Sequence, residues 1–512
     1  MDPKSIMNTK RNLSRIRLLA AMLLALPVVA PAQFIYTTNN GVLTLTQYTG
    51  SGGDVTIPDK VGSLPVGVVA SAAFFQISAL TSVTFGTNVT TIANNAIFQC
   101  PNLAGVFIPA SVTNIGTGPM IDCKSLTTIS VSPANSGYTN VNQVLFNKPL
   151  TSLIEFPGGA GGSYTIPASV TNVGQAFIGN SLTAISVNPA NMYFTNLAGV
   201  LFDKSKTFLY SYPGGAAGSY AVPTNATTIV SGAFEYSTGL TTVSIGTNVS
   251  SIGTFAFYDC SNLTAITVNA TNAFYSSTNG ILFDKNKTIL IQYPIAIPGS
   301  YLVPGTVVNI GDGAFGDAFG LTSVVIPNGV TNIAQQAFYG CLNLSGVFLG
   351  NSLKTIGPNA FFYCSSLADV VFPASLTSLG QYSFGGCQSL SSVCFSGNQP
   401  ADGGSVFLSD HALSTILYVT GKTGWGATFD GISTTPCSTC GGGTPQLGIL
   451  LSGSNVIVGW LTTFSGFTLE YTTNLLPPVV WATNPTTPVI INQYYAVTNP
   501  IAGSRMFFRL IQ

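Results

Sequence analysis

Apolar residues in this chain recur at fixed offsets from one another. In Leu321-Thr322-Ser323-Val324-Val325-Ile326-Pro327 the second half alternates, as a short half-buried strand should. Leu321, Val324 and Ile326 are predicted to point inward. Pro327 cannot donate to a ladder and ends the strand. The next stretch, Gly329-Val330-Thr331-Asn332-Ile333, offers two more inward apolar residues on the opposite side of a coil. Ala337-Phe338 then closes the turn, with the ring at the wide end of the core. The unit repeats: Phe315, Phe338, Phe361 and Phe384 are each 23 residues apart. Leu321, Leu344, Leu367 and Leu390 keep that step, as do Cys341, Cys364 and Cys387. Earlier pairs share it: Phe234 and Phe257, Leu240 and Leu263, Leu103 and Leu126, Cys100 and Cys123. A period in the twenties marks a solenoid in which no single unit buries its own apolar face. Its coils should stack about 4.8 Å apart, with equivalent side chains in ladders.

Written out, the unit runs Ala-Phe-x-x-Cys-x-x-Leu-x-x-Val-x-Ile-Pro-x-x-Val-x-x-Ile-Gly. This pattern resembles the BspA-like leucine-rich repeats of bacterial and protist surface proteins, over roughly residues 34 to 436. The opening Gly41-Val42-Leu43-Thr44-Leu45, Val55-Thr56-Ile57-Pro58 and Leu64-Pro65-Val66 resembles the usual first coil of that family. The resemblance implies a right-handed, β-rich leucine-rich-repeat solenoid of short strands with helical turns, and roles in adhesion or ligand binding. Those roles are associated with many members and do not follow from the fold. Two departures stand out. Gly179, Thr238 and Ala318 occupy the region of the Cys slot in their units, and three units carry insertions.

The insertions, near 131–167, 187–223 and 268–304, form a second repeat. Gly199-Val200-Leu201-Phe202-Asp203-Lys204 parallels Gly280-Ile281-Leu282-Phe283-Asp284-Lys285. The runs around Asp203-Lys204-Ser205-Lys206 and Asp284-Lys285-Asn286-Lys287 read as hairpins with polar tips. Asp203 and Asp284 fit a cation or ligand contact, but turn residues bonding their own backbone is the simpler reading. Asn147 in the first copy favours the simpler one. The solenoid is expected over 33–436 and a Gly-rich linker over 437–444. A small all-β domain, immunoglobulin- or fibronectin-like, is expected over 445–512. Its strands are read in Asn455–Trp460, Phe467–Tyr471 and Arg505–Leu510.

Composition narrows the function. Charged residues are 6% of the 512, and 16 basic side chains balance 16 acidic ones. No net field steers such a chain to nucleic acid or anionic lipid. At the N-terminus, Lys4, Lys10, Arg11, Arg15 and Arg17 precede an apolar run from Leu18 to Leu26. Pro27 and the small-residue site Ala30-Pro31-Ala32 follow. This is the layout of a signal peptide over 1–32, with a mature chain from Gln33. The run is about half of the ~20 residues a membrane span needs. The mature chain is expected to be secreted or at the cell surface, with no transmembrane segment.

Candidate chemistry is sparse. The single histidine, His411, follows Asp410 in an irregular last coil and reads as a turn residue. No phosphate loop, zinc-protease helix or nucleophile elbow is present. The acids Glu155, Glu235, Asp259, Asp312, Asp317 and Asp369 show no repeated pairing of the kind glycosidases need. We expect no enzyme, no catalytic residue, no metal site and no cofactor. Cys100, Cys123, Cys260, Cys341, Cys364 and Cys387 share one slot and read as buried free thiols. Cys437-Ser438-Thr439-Cys440 reads as part of a structural disulfide, with Cys394–Cys437 fastening the last coil.

The outward strand positions define a candidate binding face: Phe107, Thr128, Ser130, Thr242, Ser244, Thr267, Val325, Phe348, Asp369 and Val371. Hydroxyl rows suit a glycan, whereas aligned Val325, Phe348 and Val371 suit a protein partner. Strand propensity alone would also place Thr and Val there. Two functions compete: a surface binding or adhesion protein, and a purely structural envelope or matrix module attached by its C-terminal domain.

Overall fold

The computed structural model describes residues 33–440, 447–452, 455–461, 466–491, 494–500 and 505–511. The signal-peptide reading and Gly441-Gly442-Gly443 lie outside them. The chain divides into two compact units, Met1–Thr241 with Asn248–Ser261, and Thr242–Thr247 with Asn262–Gln512. Both are β-solenoids with a 23-residue step, seen as parallel pairings such as Val106 with Ile129, and Val324 with Val347.

Each coil contributes a front strand and a shorter back strand. In the second unit the strands Gly299–Leu302, Leu321–Val325 and Gly346–Phe348 form one front sheet. Asp369–Phe372, Ser392–Phe395, Thr415–Val419 and Ile432–Cys437 belong to the next. On the back, Ile289–Gln292 is followed by Asn309–Ile310, Asn332–Ile333, Thr355–Ile356, Ser378–Leu379 and Ala401–Asp402. Between the rows lies one continuous core, running from Ile281 to Phe429. Phe315, Phe338, Phe361 and Phe384 stack through it with ring centroids 4.5, 4.8 and 4.9 Å apart and planes within 13° of parallel. Free aromatic pairs prefer offset or edge-on contacts. Here the coil rise of about 4.8 Å imposes the near-parallel stack.

Beside the stack, the slot thiols donate to the phenylalanine carbonyl 26 residues back: Cys341 to Phe315 at 3.1 Å, Cys364 to Phe338 at 3.2 Å and Cys387 to Phe361 at 3.2 Å, whereas Cys123 in the first unit donates to Ile121 O. All six slot cysteines are buried and free. Where the thiol is missing, buried Asn180, Ser237 and Ala318 take the place. Asn180 closes its coil by accepting from the amides of Leu182 at 2.8 Å and Gly214 at 3.2 Å.

The turns are not helical. Among the described residues there is no helix. The residue two before the ladder phenylalanine and the residue two after it both have positive φ: Gln336 at 57° and Gly340 at 70°, Asn359 at 55° and Tyr363 at 62°. Left-handed residues four apart interrupt any run of right-handed turns. The amides go to the next coil instead, as Phe338 N–H does to Ala360 O at 2.7 Å.

The three insertion regions hold antiparallel units: Tyr138–Val141, Val144–Asn147 and Leu153–Glu155; Phe194–Leu197, Val200–Asp203 and Phe208–Ser211; Tyr275–Thr278, Ile281–Asp284 and Ile289–Gln292. Their first turns, Asn142-Gln143, Ala198-Gly199 and Asn279-Gly280, have two central residues at positive φ, the conformation of a tight hairpin. The first described strands, Phe34–Asn39 and Val42–Tyr48, make the same hairpin around Asn40-Gly41. Each internal hairpin closes the edge of the front sheet before it. Ile185 N–H donates to Gly199 O at 2.7 Å and Ile266 N–H to Gly280 O at 2.7 Å. Asn140, Asn196 and Ser277 side chains accept from Val131, Val187 and Val268. A Cβ on Gly280 would sit 2.9 Å from the Ala265 side chain, so this approach requires glycine. The middle strands act as partitions. Leu145 packs into the core before it, and Val144 and Phe146 pack into the core after it.

At the tips, Asp203 accepts from the amides of Thr207 and Phe208 at 2.7 Å each, and Asn147 accepts from Thr151 and Ser152. These are turn-closing contacts. Buried Asn135, Asn191 and Asn272 anchor the start of each unit, and Lys148, Lys204 and Lys285 cap their carbonyls.

The C-terminal module has a four-stranded and a three-stranded antiparallel sheet. Val456, Val458, Trp460 and Val497 from the first share a core with Leu469 from the second.

Phe338→Ala should destabilise the second unit by about 3–5 kcal/mol, the cost of an unfilled aromatic site in a core. Thermal unfolding of the purified chain reads it. A second expectation concerns Glu155, whose Oε2 is buried without a partner and whose carboxyl is raised well above its ordinary value by desolvation. The folded state thus holds a proton that the unfolded state releases, so stability falls as pH rises above the ordinary carboxylate range. Gln292 takes the equivalent place in the third hairpin, donating to Tyr293 O at 3.1 Å. Glu155→Gln should raise the melting temperature at pH 8 and leave it nearly unchanged at pH 4.

Candidate binding face

The outward residues of the front strands form rows because parallel pairing keeps equivalent positions in register. In the second unit Leu302 pairs with Val325, and Val325 with Phe348. Val371 pairs with Cys394, and Cys394 with Leu417. Phe348 and Val371 are one 23-residue step apart. The result is two apolar rows of three coils each, Leu302, Val325 and Phe348 on one sheet and Val371, Cys394 and Leu417 on the next. Leu302 is 42% exposed; Val325, Phe348, Val371 and Leu417 are half-buried and Cys394 is buried. A parallel row two residues upstream is small and polar: Ser300, Ser323, Gly346, Asp369 and Ser392. Ser323 donates to Ser300 at 2.7 Å. Asp369 is the one charge in that row, and desolvation raises its carboxyl above the ordinary value.

The other candidate positions lie on separate sheets. Phe107 is 40% exposed between Thr84 and Ser130, with Thr128 exposed beside it, all in the first unit. Ser130 donates its hydroxyl to Val106 O at 3.3 Å. Thr242, Ser244 and Thr267 belong to the sheet pairing Thr242 with Ala265 and Ser244 with Thr267. Thr267 donates to Val243 O at 3.4 Å. Two of the hydroxyls are therefore committed to the preceding coil. The ten positions fall on four sheets, so they do not make a single strip: hairpins separate the first three, and the front ladder breaks again between Gly346–Phe348 and Asp369–Phe372. One front-face group was not singled out from sequence. Asp54 accepts from Thr81 at 2.8 Å and Ser82 at 2.7 Å, and these hydroxyls, Ser82 foremost, hold its carboxyl below the ordinary value. Its signal, an acid 27 and 28 residues before a Thr-Ser pair, is visible only once the first coil's length is known.

The disulfide differs from the pairing expected. Cys394 is bonded to Cys440, with Cα atoms 5.4 Å apart, and Cys437 is free. Cys437 ends a strand two ladders away from Cys394, opposite Val419. The turn after it carries Cys440 back over the sheet. All three sulfurs lie within 4.8 Å of one another.

Asp410 and His411 part company: the carboxylate is buried and the imidazole exposed. Neither Asp410 oxygen completes a hydrogen bond, although the Cys387 and Gly386 amides turn toward it. Desolvation, with a smaller contribution from Asp430, pushes its carboxyl up to about 8. Among the described residues no helix is long and apolar enough to cross a membrane.

Six copies of a family described as the BspA type leucine rich repeat region match residues 48–183, 210–291 and 300–419. The chain is also similar to a leucine rich cell surface protein from Faecalibacterium prausnitzii, at 23% identity over 78% of this chain and 96% of that one, TM-score 0.38. The pneumococcal vaccine antigen PcpA matches at 17% identity over 77% of this chain and 87% of that one, TM-score 0.32. A leucine-rich repeat protein from Eubacterium ventriosum matches at 22% identity over 68% of this chain and 91% of that one, TM-score 0.30. No curated protein sequence matches the chain.

Because Asp410 keeps its proton longer folded than unfolded, stability should fall as pH rises from its ordinary value of 3.8 to about 8. Asp410→Asn should melt higher than the parent chain at pH 9 and alike at pH 4. Equal melting at both values would show that the carboxyl is not desolvated.

Proposed function

The chain belongs to the BspA-type leucine-rich repeat family, and from that premise we propose that it is an exported, non-catalytic binding protein of the cell surface or extracellular medium. Its partner is a protein that lays an apolar strip along the front of the second unit at Phe348, Val371 and Leu417, past the C-terminal strand Gly448–Ser452 that lies beside Gly299–Leu302 and Leu321–Val325. The observation that carries this reading is an apolar residue at the same outward position of successive coils: Leu302, Val325 and Phe348 in register on one sheet, and Val371, Cys394 and Leu417 in register on the next. Strand propensity accounts for Val and Phe at such positions, but not for a leucine that remains 42% exposed. The neighbouring Ser and Gly row leaves room for a partner's backbone to approach. A glycan is less well served, since Ser130 and Thr267 spend their donors on adjacent coils. The same inter-coil bonds favour the second reading, a structural envelope or matrix module whose faces serve only their own stacking. The C-terminal module, read as an immunoglobulin- or fibronectin-like attachment domain, belongs to either.

The test applies residues 33–512 to an array of extracellular-matrix proteins and to a glycan array. Protein spots are expected, weakened about 10- to 100-fold by Phe348→Ser with Val371→Ser, the range for losing central apolar contacts. Melting of the double variant should stay close to that of the parent. Glycan binding untouched by the two substitutions would overturn the assignment, and silence on both arrays would favour the structural reading.

A further inference from the structure

The second unit carries chemistry that the binding role does not use. Cys437 Sγ lies 3.9 Å from Cys394 Sγ, the sulfur already bonded to Cys440. Cys437 is half-buried, ends the last front strand, and donates its thiol to Tyr418 O at 3.3 Å. The six slot thiols are fully enclosed in the core. Cys437 is the one free thiol among the described residues that reaches a disulfide. A thiol placed against a disulfide sulfur is the starting arrangement for exchange through attack by the deprotonated sulfur.

We propose that Cys394, Cys437 and Cys440 form a thiol–disulfide exchange site that fastens and unfastens the chain at the root of its glycine run. Cys437 gives its proton to water and its sulfur bonds to Cys394. The Cys394–Cys440 bond breaks, and Cys440 leaves as a thiolate and takes up a proton. One disulfide and one thiol enter and leave, so no oxidant or reductant is consumed. The two isomers differ in mechanics. With Cys440 bonded, the chain is doubled back over the strand Thr415–Val419 and fixed to Ser392–Phe395. With Cys437 bonded, the strand end is clipped and the chain from Ser438 onward is released. The C-terminal strand Gly448–Ser452, which lies beside Gly299–Leu302 and Leu321–Val325, is then tethered to Cys394 from three residues farther back along the chain. Cys394 sits in the second apolar row, so exchange also changes what covers that row. This inference stands without the binding reading, because its readout is the position of one thiol.

The experiment uses the full mature chain, purified without reductant and held at neutral pH. Samples taken over hours are blocked with N-ethylmaleimide, denatured, alkylated with iodoacetamide and digested for disulfide mapping by mass spectrometry. The expected result is maleimide on Cys440 that grows one for one at the expense of Cys437, with a matching Cys394–Cys437 peptide. Cys437→Ser should abolish Cys440 labelling. The parent map is decisive even if that variant folds poorly. Label confined to Cys437 at all times, or label on Cys394 with a Cys437–Cys440 peptide, would overturn the proposal.

Discussion

A parallel ladder leaves every strand with donors and acceptors that only another coil can satisfy, and the rest of this molecule is arranged around that demand. It sets the 23-residue step, because each coil must return its strands to the register of the last. It forces the ladder phenylalanines into near-parallel stacks that isolated rings would avoid. It recruits side chains as well: slot thiols reach back to phenylalanine carbonyls, and surface hydroxyls such as those of Ser345, Thr377 and Ser391 reach the coil before. A chain with 6% charged residues can hold together in this way because its cohesion is carried by apolar stacking and neutral hydrogen bonds. Ion pairs such as Lys124–Asp122 and Arg509–Glu470 add little to it.

The hairpins answer the same demand at places where the ladder stops. An open edge invites pairing with another chain. Here the turn carbonyls of Gly199 and Gly280, and the side chains of Asn140, Asn196 and Ser277, take up edge amides. The strand behind each tight turn then offers alternate side chains to the core before and the core after. An apparent insertion is thus an internal wall. It divides the front surface into short sheets.

Burial explains the few acids that stand out. Glu155 and Asp410 are enclosed without full hydrogen bonding, and desolvation raises both. They sit on the strand paired with a partition strand and in the irregular last coil, where the repeat gives way and a polar group is caught inside. Asp54 shows the reverse: exposed and held by two hydroxyls, it keeps its charge easily.

The sequence by itself determined the period, the inward ladder, the buried thiols and the alternation that puts Val325, Phe348 and Val371 on the outer side. All of these are one-coil properties multiplied, so each repeat restates them. Only the tertiary structure decided the matters that lie between coils. Left-handed turns replace helical ones because amides bond to the next coil and not along their own. Hairpins wall off the face because edge amides need partners. Cys440, and not Cys437, meets Cys394 because a chain-reversing turn, invisible in the repeat, swings it across two strands.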